Sequence, residues 1–266
     1  MIQTSGVISS GGLKGVAANR NITAFSLAIK IPFVLFLIFK PNKLRVRILL
    51  GGIIFLTMIS LSMIQSRASF LAVGFIIIAF TTLSIFIYKR AEKSPNQLYK
   101  IAYLILPIFL ALLVNQIFVA DKGADAISRA ATISFSTNDG SVNQRLRYYE
   151  DVLTHFKSNP LLGTGLGNWK LKSIEYDSMD IEGYVVPYHA HSDFIQLGAE
   201  LGIIGFLLYL GVFLFAIYYV YVVIKFSKKP LEEKVFLFLL LTSLGVYSVD
   251  ASLNFPIARP QVLVVW

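Results

Sequence analysis

The sequence predicts an all-α fold, a polytopic transmembrane helix bundle of about six spans with one large extracytoplasmic loop. Three observations predict it. Of the 266 residues, 56% are hydrophobic and 15% are charged, and the mean hydropathy is +0.68; a soluble domain needs more polar surface than that. Apolar stretches of 17 residues or more recur, each long enough to cross a hydrocarbon core of about 30 Å. The basic residues behind the formal net charge of +9 sit in short loops between those stretches. That distribution points to a lipid bilayer as partner and away from nucleic acid.

The spans are read in order as Ile22–Phe39, Ile48–Ile64, Ala68–Tyr88, Ile101–Val119, Leu201–Ile224 and Val235–Ser252. Spanning backbone must satisfy its own hydrogen bonds, which makes each run a helix. Pro32 and Pro107 lie inside spans and are expected to kink them.

The loops alternate in charge. Lys40–Arg47, Lys89–Lys100 and Lys225–Lys234 hold 12 of the 24 basic residues against three acids, Glu92, Glu232 and Glu233. The segment Ala120–Glu200 holds seven Lys/Arg against eleven Asp/Glu, a formal charge of −4. Positive loops stay cytoplasmic, so the long loop is expected outside the cytoplasm. The organisation follows: four membrane helices in 1–119, an extracytoplasmic loop over 120–200, and further membrane helices in 201–266. The apolar ending at Val262–Trp266 and the loop-like opening lead the sequence reading to expect a fragment or shortened member of a larger membrane protein. With no cysteine, disulfide and thiol chemistry are excluded.

Eighty-one residues between two spans exceed a passive connector, so chemistry is expected there. Asp121–Asn143 is polar and reads as irregular. Gln144–Ser158 reads as an amphipathic helix, with Tyr148, Tyr149, Val152, Leu153 and Phe156 on one face. Asn159-Pro160 ends it. Gly163-Thr-Gly165-Leu-Gly167-Asn168-Trp169 matches neither a dinucleotide fingerprint nor a P-loop. It reads as a tight turn with Trp169 anchored at the membrane interface.

The loop closes with Tyr188-His189-Ala190-His191-Ser192-Asp193 and runs into Glu200-Leu-Gly202. Two of the three histidines lie here, at a helix start that Ser192 or Asp193 could cap. Three readings compete. His189, His191 and Asp193 offer metal ligands, though no second ligand cluster accompanies them. As plain structure, they are surface groups and a cap. As a general base, a neutral imidazole could take the proton of a sugar hydroxyl.

Four segments, in their order relative to the spans, resemble the O-antigen ligase/O-antigen polymerase family of bacterial membrane glycosyltransferases. They are Gly15…Asn19-Arg-Asn21, Ser66-Arg67-Ala68, Arg145-Leu-Arg147-Tyr-Tyr149 with Asn159-Pro160…Gly163-Thr-Gly165-Leu-Gly167-Asn168, and His189-Ala-His191-Ser192 with Glu200-Leu-Gly202-Ile-Ile-Gly205. Ser192 stands where Asn is common in the family, and Tyr149 where Trp is common.

The resemblance implies a multi-pass protein of the bacterial inner membrane that moves a polyprenyl-diphosphate-linked glycan onto a sugar hydroxyl, with inversion and with no metal or other cofactor. The acceptor is lipid A–core for a ligase and another lipid-linked glycan for a polymerase. It further implies His191 as base and Arg67 and Arg145 as diphosphate ligands, with Arg147 as a spare. His189, Asp193 and Glu200 would play supporting parts.

Guanidinium suits that task because it stays charged and grips phosphate oxygens bidentately. Lys30, charged within a span, is a functional candidate without an assigned role. The rival readings are a transporter and a non-catalytic membrane scaffold of a polysaccharide export system.

Overall fold

A computed structural model describes residues 19–40, 43–90, 99–118, 126–131, 140–177 and 188–259. Among them every regular element is helical: α1 (Arg20–Ala28), α2 (Ile31–Phe39), α3 (Leu44–Ile64), α4 (Arg67–Arg90), α5 (Tyr99–Phe118), α6 (Ala126–Ala131), α7 (Gly140–Ser158), α8 (Trp169–Asp177), α9 (Asp193–Phe226) and α10 (Leu231–Leu253), closed by a 3₁₀ turn at Pro256–Ala258. The protein is a polytopic helical membrane protein. Among the described residues five segments are long and apolar enough to span: Arg20–Phe39, Leu44–Ile64, Arg67–Ile87, Asp193–Phe226 and Leu231–Leu253. The expected sixth is shorter, an apolar helix over Ile101–Ile117 at the lower limit of about 17 residues.

The chain divides into two compact units, residues 1–133, 220–249 and 264–266 in one, 134–219 and 250–263 in the other. In the first, α3 packs on α5, and α1 on α3 and α4. The first predicted span is two helices, because Pro32 supplies no N–H and the ladder cannot close through it. Phe33 N–H donates instead to the Lys30 carbonyl at 3.1 Å. The Ile29 carbonyl thereby released accepts from the Ser243 hydroxyl at 2.8 Å, a side-chain repair typical of broken spans. Lys30 sits at the break with its side chain exposed. By contrast, α5 runs through Pro107.

The second unit holds α7, α8 and the first part of α9. Several expectations for residues 120–177 change, α6 lying in the first unit. Asp121–Asn143 contains α6 and the first turn of α7, which starts at Gly140 rather than Gln144. The buried face of α7 is Tyr148, Val152 and His155, while Leu153 is 56% exposed. The spacing i, i+4, i+7 is a single stripe, narrower than the face read from Tyr148, Tyr149, Val152, Leu153 and Phe156. α8 was not anticipated at all. Asn159-Pro160 does end α7.

Candidate active site

The second unit is built around an interlock between two glycine-containing segments that lie about forty positions apart. Gly202 has φ 64° and ψ −166°, a region open to glycine alone. It breaks α9, freeing carbonyls in the turn before it. The 160–167 turn takes them up. Thr164 N–H donates to the Ala199 carbonyl at 3.2 Å, Gly165 N–H to the Glu200 carbonyl at 2.7 Å, and Ile203 N–H to the Pro160 carbonyl at 2.8 Å. A side chain at Gly202 would run into the Leu161 carbonyl, and one at Gly163 into the carbonyls of Ala199 and Glu200.

The same turn cradles an anion, and the anion belongs to the protein. Glu200 is buried, and its carboxylate accepts from Gly167 N–H at 2.9 Å, Trp169 N–H at 3.3 Å and Gln196 Nε2 at 3.1 Å. Backbone N–H groups converging on a carboxylate satisfy a buried charge that would otherwise be costly. Glu200 is thereby committed to architecture. Trp169 is not at an interface: it is 2% exposed, in a core with Val152, Ala190 and Ala199. His155, which the sequence reading passed over, is buried beside it, with Nδ1 3.0 Å from the Tyr176 hydroxyl. Burial holds its pKa below the ordinary value, with Lys172 adding to the effect.

From Glu200 the network reaches the histidines. Gln196, one helical turn earlier, uses its other end to accept from Ala190 N–H at 3.1 Å. Ala190 is the residue between His189 and His191. The motif is thus pinned at its centre by a residue that carried no sequence signal beyond its place in a helix.

His191 adopts φ 56°, a left-handed backbone uncommon outside glycine. Its carbonyl lies 3.3 Å from the Tyr149 hydroxyl. Its imidazole stacks with Tyr148 at a ring separation of 6.0 Å and meets Phe255 edge-on at 5.2 Å. Burial, the Arg145 guanidinium and His189, in that order, push its pKa down to about 4. The imidazole is therefore neutral across the physiological range. Its Nδ1 and the Nε of Arg145 are buried without a hydrogen-bond partner among the described residues. The guanidinium of Arg147 lies over the Tyr148 ring, 5.5 Å from its centroid.

His189 also packs on Phe255, stacked on that ring at 4.1 Å. Burial and Arg259 lower its pKa, while a hydrogen bond with Gln196 opposes them. Asp193 follows; its Oδ2 accepts from Ile257 N–H at 2.9 Å. The cap of α9 is Ser192, whose Oγ lies 3.5 Å from Ile195 N–H. Among the described residues, no group of three His, Cys, Asp or Glu side chains is placed to hold a metal ion.

The structure thus brings His189, His191, Arg145, Arg147, Asp193 and Glu200 into one unit. Arg67 belongs to the other, where it opens α4 after a left-handed turn at Gln65. There Ser66 Oγ donates to Asn21 Oδ1 at 3.0 Å, and Asn19 caps α1 through Asn21 N–H and Ile22 N–H. Two of the segments singled out by sequence are therefore in contact. Phe255 and Gln196 were missed. Phe255 lies 64 positions from His191 with nothing in the sequence to connect them.

Residues 52–210, more than half of the chain, match the family model described as O-antigen ligase. The matched stretch contains Arg67, Arg145, Arg147, His189, His191, Asp193 and Glu200. No curated protein and no solved structure matches the chain.

Proposed function

The chain belongs to the O-antigen ligase family, and from that premise we propose that it is a glycosyltransferase moving a polyprenyl-diphosphate-linked glycan onto a sugar hydroxyl at the outer face of the bacterial inner membrane. The observation that carries the reading is a neutral imidazole, His191, held in a left-handed turn within the field of the Arg145 guanidinium. A proton acceptor beside a guanidinium whose Nε has no hydrogen-bond partner among the described residues suits a reaction that deprotonates an alcohol and expels an anion.

In this mechanism the acceptor oxygen attacks the anomeric carbon from the face opposite the leaving group, so the centre inverts. Its proton passes to the His191 imidazole. The bond from the anomeric carbon to the phosphate oxygen breaks, and its electron pair leaves on the prenyl diphosphate. Arg145 and Arg147 hold that diphosphate, with Arg67 as a third cation. His189 and Asp193 support the imidazole side, and Glu200 holds the turn that frames it. The acceptor is lipid A–core or a second lipid-linked glycan.

The test is transfer by the full-length protein in nanodiscs with a lipid-linked glycan as donor. His191→Ala is expected to slow transfer by about 10²–10⁴-fold. Transfer near the wild-type rate would overturn the assignment of the base. The broken first span is the one observation that favours a transporter instead; substrate flux into vesicles lacking any acceptor would reveal it.

A further inference from the structure

Beside the histidines, within the second unit, lies a cavity of about 290 Å³. Its polar wall is Lys170, His189, Asp193, Gln196 and Glu200. Its apolar wall includes Leu166 and Leu197. The volume sits near the lower end of ligand pockets, about 300 Å³, which suits a single ring.

The composition of the wall discriminates among the parts of the proposed substrates. A prenyl tail matches the apolar part of the wall and offers no hydrogen bond to Lys170, His189, Asp193 or Gln196 in the rest. A diphosphate would need net positive charge, whereas two carboxylates here face one ammonium. A pyranose fits both halves of the wall, since it presents hydroxyls around its edge and C–H groups on its faces.

The wall also has hydrogen-bonding capacity to spare. Glu200 is fully engaged by Gly167, Trp169 and Gln196. Asp193 is not: it is 1% exposed and its Oδ1 has no hydrogen-bond partner among the described residues, and the same is true of His189 Nδ1. An unsatisfied buried carboxylate oxygen costs free energy that a sugar hydroxyl would recover.

We infer that this cavity is the acceptor subsite, taking one pyranose ring of the acceptor glycan with its hydroxyls on Asp193, His189 and Lys170. The inference rests on the glycosyltransferase reading above. Phe255 joins the two histidines. It stacks on His189, which lines the cavity, at 4.1 Å and meets His191 edge-on at 5.2 Å, so ring contacts lead from the cavity wall to the imidazole beside Arg145. The acceptor, rather than the donor's first sugar, belongs where the wall holds no guanidinium.

Two measurements test this on the full-length protein in nanodiscs. The first is saturation-transfer NMR with a panel of methyl hexopyranosides, and with farnesyl diphosphate as a sugar-free donor mimic. Ala258→Trp, which narrows the cavity at its exposed rim, is expected to abolish the pyranoside signal and leave the diphosphate signal. Lys170→Met, on an exposed side chain whose loss cannot unfold the core, is expected to weaken pyranoside binding at least tenfold. No pyranoside signal in the wild type, or an unchanged signal in both variants, overturns the subsite.

The second measurement compares glycan transfer with hydrolysis of the donor by water. Ala258→Trp is expected to raise the acceptor KM at least tenfold while hydrolysis stays unchanged. A parallel fall in hydrolysis would place the donor sugar in the cavity and overturn the assignment to the acceptor. Failure of the underlying reading looks different: farnesyl diphosphate would not bind the wild type, and His191→Ala would transfer normally.

Discussion

His191 poses a problem at the scale of one side chain. Burial and Arg145 keep it neutral, as a base must be, but a pKa near 4 makes a poor proton acceptor. The donor itself resolves this in the proposed mechanism. A diphosphate bound to Arg145 neutralises the charge that depresses the imidazole, and its own negative charge favours the protonated form. Basicity then rises only when the leaving group is in place. Two pH profiles report the two states, since kcat/KM follows the free enzyme and kcat the complex. The acid limb of kcat/KM is expected near pH 4 and that of kcat distinctly higher. Arg145→Gln is expected to move the kcat/KM limb upward. Coincident limbs near the ordinary value of 6.5 would contradict the coupling. Stability carries the same sign. The unfolded chain takes up the His191 proton near 6.5 and the folded protein only near 4. This contribution is therefore intact above pH 6.5 and is lost as pH falls from 6.5 toward 4. An acid-side decline in Tm that is diminished in His191→Gln is the corresponding readout.

At the scale of elements, the break in α9 and the turn after α7 act as one part. Neither segment is regular alone: Gly202 cannot continue a helix, and the 160–167 turn is tied to α9 through Pro160, Thr164, Gly165 and Gly167. Their value is mutual, and Gln196 carries it onward to Ala190 and the histidines. Gly202→Ala combines a forbidden φ/ψ with overlap on Leu161. The backbone strain alone costs about 1–3 kcal/mol, and displacing the turn adds to it. A substantial loss of thermal stability is expected, together with loss of transfer, because the His189–His191 segment hangs from the same network. Wild-type Tm in that variant would mean that the interlock is incidental. The break between α1 and α2 is repaired more cheaply, by one Ser243 hydroxyl. Its removal in Ser243→Ala is expected to cost about 0.6–2 kcal/mol, measured by unfolding in detergent.

Across the whole molecule, legibility in the sequence followed the range of the physics involved. Spans were visible because a 20-residue apolar run is a local property; even the weak point at Pro32 announced itself, since a missing N–H is a property of one residue. The stripe on α7 was read too wide, because periodicity shows which residues share a face and not how much of it a neighbour covers. Trp169 was misplaced for a related reason. An indole after a glycine turn looks like an interface anchor until α7 and α9 are known to close over it. The Glu200 cradle, the Gln196 bridge and the Phe255 ring contacts were invisible, each depending on chain segments 6 to 64 positions apart meeting in space. Orientation is a different kind of global property, written in sequence as a charge imbalance between loops. The functional reading requires residues 120–200 outside the cytoplasm, where a lipid-linked glycan is presented. The chain has no cysteine, so single cysteines can report this without a background. Leu162 is 74% exposed in the 160–167 turn, and Lys228 lies in the basic loop between α9 and α10. A membrane-impermeant maleimide added to intact cells is expected to label Leu162→Cys readily, and Lys228→Cys only after the membrane is opened. The reverse pattern would put the imidazole and its arginines in the cytosol, away from any outward-facing acceptor, and the proposed chemistry would have to be abandoned with it.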